Sequence, residues 1–225
     1  MPNGSLDTHL FGKKSSPLTW AIRYKIALGL ASALLYLQED ENVNVLYMLD
    51  SKVNNIKSSN VMLDSSFNVK LGDFGLARLM NHELVPETAS VLAGTLGYMA
   101  PEYISTGRAS KKSDVYSFGA VALEIATGRN AIDPLEQKSR TTLVELHIFD
   151  ETQAECLIIV ELWCVHPDST LRPSIRQAIQ VLKFEATMPN LPAKMPIPVY
   201  CAPTQTQSVT SSEPSITISS LDVGH

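Results

Sequence analysis

Cysteine, basic charge and long apolar runs are all scarce in this chain, and each scarcity removes a class of protein. The three cysteines, Cys156, Cys164 and Cys201, have neither an even count nor zinc-ligand spacing. A disulfide framework and a structural zinc site are therefore set aside, and buried thiols in a reducing compartment are expected. The five histidines, His166 among them, are scattered and form no ligand cluster. A net charge of −5 without a basic stripe argues against a nucleic-acid surface. No uninterrupted apolar run reaches the length of a membrane span, and Met1-Pro2-Asn3-Gly4 opens without an apolar signal region. The expectation is a cytoplasmic chain with no span of its own.

What is present reads as globular and mainly α. Hydrophobic residues make up 44% and charged residues 18% of 225 positions, enough for one ordinary domain with its own core. After a turn-rich stretch, Met1 to Ser16, a helix is expected from Thr19 as N-cap, with Trp20, Ala27, Leu30, Ala31, Leu34 and Leu35 at helical spacing. Val61-Met62-Leu63 and Asn68-Val69-Lys70-Leu71 read as a two-stranded ribbon. Asp114 to Ala126 is apolar on nearly every face and ends at Gly128, a C-cap, so it should be the buried centre. Gln153 to Cys164 and Ser174 to Phe184 read as two closing helices, with Trp163 as a core anchor. From Met188 the chain turns Pro-rich and then Ser/Thr-rich, which predicts a folded part over 1–187 and a disordered tail over 188–225.

One stretch carries the chemistry. Ile56 to Glu102 holds Lys57, Asn60, the triplet Asp73-Phe74-Gly75 and the triplet Ala100-Pro101-Glu102, in that order. Asn60 runs into one strand of the ribbon and Asp73 leaves the other, which brings an amide oxygen and a carboxylate to one end. Both are hard donors of the kind Mg²⁺ takes beside nucleotide phosphates. The series resembles the catalytic half of a eukaryotic protein kinase. Ile56 to Met80, Ala93-Gly94-Thr95-Leu96-Gly97-Tyr98-Met99 and Ser113-Asp114-Val115-Tyr116-Ser117-Phe118-Gly119 look, more narrowly, like the kinase domain of plant L-type lectin receptor kinases.

That resemblance implies a kinase-like C-terminal lobe, a helical bundle with a small β-ribbon. It implies ATP-dependent serine/threonine phosphorylation in receptor signalling, with ATP and magnesium as cofactors. A protein substrate or a full-length kinase relative is the implied partner. The parent family is anchored at the plasma membrane with its kinase domain in the cytoplasm. By the same resemblance Asn60 and Asp73 are magnesium ligands, Phe74 packs into the core and Gly75 permits a sharp turn. Thr95 bridges the catalytic base and Lys57. Glu102 pairs with Arg172 as a brace, and Asp114 bonds the loop that carries the base.

The departures from the family are equally specific. By comparison Met1 falls just after the strand leading out of the ATP-binding lobe, so the N-terminal lobe is expected to be absent. The 225 residues contain no Gly-x-Gly-x-x-Gly loop, since Gly94-Thr95-Leu96-Gly97 has another spacing. Nor do they offer the lysine and glutamate pair that orients the triphosphate. Where His-Arg-Asp should precede Ile56 stand Val53, Asn54 and Asn55, so an amide occupies the position of the base. A second register, with Asp50, Lys52 and Asn55 as Asp-x-Lys-x-x-Asn, would leave Ile56 to Asn60 as an insertion. Both registers lose the histidine and arginine. After Leu146 the chain passes almost at once to Gln153, short of a helix-length stretch that the family has.

Three functions follow. The chain could be a working kinase, a non-catalytic kinase-like binding module (a pseudokinase), or a defective and unstable product. General-base action supplies ~10²- to 10⁴-fold, and positioning of reactants up to ~7–11 kcal/mol. Lacking the groups for both, the chain is expected to be catalytically impaired and to hold ATP poorly.

Overall fold

The computed structural model describes residues 1–12, 17–39, 56–72, 95, 97–130, 150–192 and 194–196. Among the described residues there are six helices and a ribbon. They are α1 (Leu6–Phe11), α2 (Trp20–Glu39), a 3₁₀ turn (Ser58–Asn60), β1 (Val61–Leu63), β2 (Val69–Leu71), α3 (Pro101–Thr106), α4 (Lys111–Thr127), α5 (Glu151–Cys164) and α6 (Ile175–Leu182). The strands pair antiparallel, Val61 opposite Leu71 and Leu63 opposite Val69. Helix α4 packs against α2 and α5, α6 closes on both of these, and the ribbon lies on α2 through β2. The mainly helical lobe with one small ribbon is the architecture expected from the sequence.

Local chemistry explains the boundaries. Thr19 stands before α2, and its carbonyl accepts the amides of Ile22 and Arg23. The buried face of α2 carries Trp20, Ile26, Ala27, Leu30, Ala31 and Leu34, the stripe read from the spacing. Among the described residues α2 is the one helix long and apolar enough to cross a bilayer. It packs instead on α4, α6 and β2. Its buried Arg23 donates to the carbonyls of Leu18 (3.1 Å) and Ile125 (2.5 Å). A guanidinium thereby meets the last turn of α4, where carbonyls lack helical partners.

Helix α4 begins at Lys111, three residues before the sequence reading placed it. Ser110 and Ser113 cap one another reciprocally there: Oγ of Ser110 accepts the Ser113 amide, and Oγ of Ser113 accepts the Ser110 amide. Such a box satisfies amides that would otherwise lack partners. The helix ends at Gly128, whose φ of 67° suits glycine. Val115, Phe118, Val121, Ala122 and Ile125 are at most 1% exposed, which makes α4 the buried centre. Its Gly119 lets α5 approach closely: a Cβ there would lie 2.7 Å from Cβ of Cys164 and 2.8 Å from Val165.

Three readings of the sequence need correction. The stretch read as turns contains α1, a short helix between Gly4 and Gly12 that buries only Leu6 and so leaves little periodic signal. Helix α5 starts at Glu151, because the Asp150 carboxylate caps it by accepting the Gln153 amide at 3.1 Å. Trp163 packs against the core from its edge and does not lie within it: it is half-buried, its indole N–H donates to the Leu171 carbonyl at 3.0 Å, and Ala154, Cys156, Leu157, Val160 and Cys164 are the buried hydrophobic residues of α5. A ring that must satisfy a polar N–H settles where an acceptor is available.

One feature of α5 conflicts with its surroundings. Glu161 is fully buried, and among the described residues neither of its carboxyl oxygens has a hydrogen-bond partner. Burial pushes its pKa well above the ordinary carboxylate range.

Candidate functional site

The candidate site is built on the turn that joins Lys57 to the ribbon. Lys57 is extended and its carbonyl accepts the Asn60 amide at 2.9 Å, which closes the 3₁₀ turn. Asn60 ends the turn almost wholly buried, and its carbonyl accepts the Gly72 amide at 2.8 Å. The chain leaving β2 is thus tied to the turn at the residue before Asp73. Asp73, Phe74 and Gly75 lie outside the described residues, as do Asp50, Val53, Asn54 and Asn55, the positions on which the two registers of the base depend. Of the two oxygen donors singled out in the sequence, Asn60 is described and Asp73 is not. Among the described residues no three His, Cys, Asp or Glu side chains gather as metal ligands.

Lys57 and Thr95 line one cleft of about 210 Å³, together with Asp7, Ser59, Tyr98 and Asn130. The sequence reading linked Lys57 with Thr95, and they share this space. Asn60 is not in the lining. Tyr98, from the segment before α3, holds to Thr95 through its backbone, its amide donating to the Thr95 carbonyl at 3.2 Å.

Behind the cleft runs a buried polar chain that sequence reasoning missed. The Tyr98 hydroxyl donates to Oε1 of Glu124 at 2.8 Å and stands 3.2 Å from Oγ of Ser58. Ser117 donates from its hydroxyl to the Tyr98 carbonyl at 2.6 Å. Burial, and then the neighbouring Glu124 carboxylate, raise the Tyr98 phenol above its ordinary pKa, although Ser58 opposes them. The signal in the sequence was a single glutamate in the apolar run Val121-Ala122-Leu123-Glu124-Ile125-Ala126. Such a residue demands a partner. Asp7 and Asn130 had no comparable signal, because each lies in a polar context.

Glu102 and Arg172, paired in the sequence reading, meet through two parallel hydrogen bonds of 2.6 and 2.7 Å. The Arg172 side chain is fully buried and that of Glu102 is 28% exposed, so only the cation is taken wholly out of water. The guanidinium also donates to the carbonyls of His166 (2.6 Å), Lys112 (3.0 Å) and Pro167 (3.1 Å), and lies 4.9 Å over the Tyr116 ring. This arrangement ties α3 to α4 and to the segment before α6. Asp114 sits fully buried in the first turn of α4.

The family model of the protein kinase domain matches residues 1–182. The chain is 57% identical to the L-type lectin-domain containing receptor kinase IX.1 of Arabidopsis thaliana, a match covering 100% of this chain and 37% of that relative. It is 49% identical to receptor kinase IX.2 of the same plant with the same coverage. To receptor kinase S.7 of Oryza sativa subsp. japonica it is 41% identical over 90% of this chain and 30% of the relative. The chain therefore spans between 30% and 37% of the length of these relatives. The first match runs over 247 aligned positions, 22 more than this chain contains. The motif series, the helical lobe with its ribbon and the family match agree: this chain belongs to the protein kinase family and is similar to the L-type lectin-domain receptor kinases of plants.

Proposed function

We propose that residues 1–187 form the C-terminal lobe of a serine/threonine receptor-type kinase, one that retains the acceptor side of the phosphotransfer site and transfers phosphate poorly as written. The observation that carries this reading is the shared cleft of Lys57 and Thr95. In it the Lys57 ammonium would offset negative charge near the acceptor hydroxyl, and the Thr95 hydroxyl would hold that ammonium in place. Asn60, with Asp73, would hold magnesium by oxygen donors. When bound, magnesium and ATP would supply the phosphoryl group and the charge that steadies its oxygens. The Glu102–Arg172 brace would keep the acceptor-facing segment seated on α4.

The weakness lies at the base. Asn55 has no lone pair basic enough to take the acceptor's proton, so the contribution of ~10²- to 10⁴-fold from general-base action is forfeited in this register. A protein substrate, or a full-length kinase relative seated on the lobe, is the proposed partner. The cytoplasm is the proposed location. Residues 188–225 are proposed as a tail, of which 193 and 197–225 lie outside the described residues.

Incubation of the purified chain with labelled ATP, Mg²⁺ and a generic protein acceptor tests the proposal. Label no higher than in an Asp73→Asn control is expected, and label clearly above it would refute impairment. A second reading, an unstable product, draws support from the unpartnered carboxyl group of Glu161. A cooperative melting transition would exclude that reading, whereas its absence would favour it over a binding module.

A further inference from the structure

The cleft that Lys57 and Thr95 share has a second wall, made by α1, to which the functional reading gives no task. Asp7 and Phe11 line it. They stand four residues apart and so share one face of the helix, and α1 packs on the turn that holds Ser58 and Asn60. Phe11 is half-buried without packing against the main core, as its neighbour Leu10 does. Its ring is left to the cleft wall. Asp7 is fixed through one oxygen, since Oδ1 accepts both the Ser5 hydroxyl (2.5 Å) and the Thr8 amide (2.8 Å). Oδ2 accepts no hydrogen bond from the described residues, and Asp7 has no ion-pair partner among them. A half-buried carboxylate held by one oxygen and open at the other is a preorganised acceptor.

The chemistry of this wall selects its occupant. A carboxylate beside an aromatic ring suits a flat cation, whose edge donates to oxygen while its plane lies on the ring. A guanidinium does both, whereas an ammonium has no plane to stack. At about 210 Å³ the cleft is smaller than the ~300 Å³ at which sites for drug-sized ligands begin, so it suits single side chains and not a nucleotide. We propose that Asp7 and Phe11 form a specificity subsite, which takes the side chain of an arginine close to the acceptor residue of a protein substrate. The subsite rests on the reading of this cleft as the acceptor side of phosphate transfer. Lys57 and Thr95 then face the acceptor hydroxyl, and α1 reads a neighbouring residue of the same substrate chain.

The test is binding of fluorescein-labelled peptides to the whole chain, followed by fluorescence polarisation without ATP. One peptide carries a serine with arginine three residues before it and three residues after it, in an otherwise alanine sequence. The other has citrulline, a neutral group of the same shape, in place of both arginines. The arginine peptide should bind about tenfold more tightly, as a charge-assisted hydrogen bond provides. Asp7→Asn should bring the two affinities together, and Phe11→Leu should weaken the arginine peptide by about two- to fivefold. Glu155→Gln, which removes an exposed carboxylate on α5, changes the net charge equally and should leave the preference intact. Failure of the arginine peptide to bind, equal affinities in the unaltered chain, or an affinity unchanged in Phe11→Leu would overturn the proposal. A preference that survives in Asp7→Asn, or one lost in Glu155→Gln, would overturn it too, by tracing the effect to other charges. Should Asp7→Asn fail to melt cooperatively, the two peptides and Phe11→Leu decide alone. No phosphate moves in these measurements, so label above the Asp73→Asn control would refute the functional reading without touching this result, and equal peptide affinities would do the reverse.

Discussion

Replacing Glu161 by leucine should stabilise this chain, and by more as the pH rises. The side chain is fully buried on α5, and neither carboxyl oxygen has a partner among the described residues. Leaving a buried polar group unsatisfied costs about 1–3 kcal/mol, and more when it is ionised. Leucine has a similar volume and no polar atoms, so any loss from its different branching should stay below about 1.5 kcal/mol. A net gain of about 1–3 kcal/mol near pH 7 is expected. At about 2–4 °C per kcal/mol for a chain of this size, the melting temperature should rise by about 2–12 °C.

The pH dependence has a definite sign. Burial raises the pKa of Glu161 in the folded state above the unfolded reference of 4.5, so the folded state binds the extra proton. Stability from this group is complete below 4.5 and is lost as the pH climbs toward the raised folded pKa, at up to about 1.4 kcal/mol per pH unit. Asp64 and Asp168 behave oppositely. Asn68 holds the pKa of the first below its ordinary value, and Thr170 that of the second, but both contribute equally to the two proteins. The quantity to read is therefore the difference between Glu161→Leu and the unaltered chain, followed by thermal circular dichroism from pH 4.5 to 7.5. A widening difference is expected. A difference that stays flat across the window, or a leucine variant that melts lower at pH 7, would refute the reasoning.

Two further substitutions probe the frame around the site. Arg172→Ala should cost about 3–5 kcal/mol in denaturant unfolding, because Glu102 and three backbone carbonyls lose their donor together. Arg172→Lys should recover little of it, since an ammonium cannot make the two parallel bonds. Gly119→Ala should destabilise by about 1–3 kcal/mol through overpacking, because its Cβ would fall 2.7 Å from Cβ of Cys164. An unchanged denaturation midpoint would show that α4 and α5 can move apart freely.

What could be read from the sequence was whatever is written in local pattern. The stripe Trp20 to Leu34 repeats at helical spacing along α2, and the alternation over Val61 to Leu71 marks the ribbon. Gly128 stands where a left-handed residue ends α4. The pairing of Glu102 with Arg172 came from the resemblance and not from any local pattern, since the two lie 70 residues apart. Features that depend on three-dimensional contact stayed hidden. Trp163 was read as core from its type alone, whereas its N–H drew it to the Leu171 carbonyl. The six residues of α1 are too few to show a period. Ser58, Tyr98 and Glu124 are far apart in the chain and meet only because α4 passes beneath the cleft. Glu161, one polar residue amid Leu157, Ile158, Ile159, Val160 and Leu162, could have been questioned on the ground that distinguished Glu124.

The central claim is that the chain carries oxygen donors for the metal but no Gly-x-Gly-x-x-Gly loop to hold the triphosphate. Calorimetric titration with a nonhydrolysable ATP analogue in the presence of Mg²⁺ tests it most directly. The account predicts no saturable, magnesium-dependent binding. A one-to-one isotherm that vanishes in Asp73→Asn would contradict it.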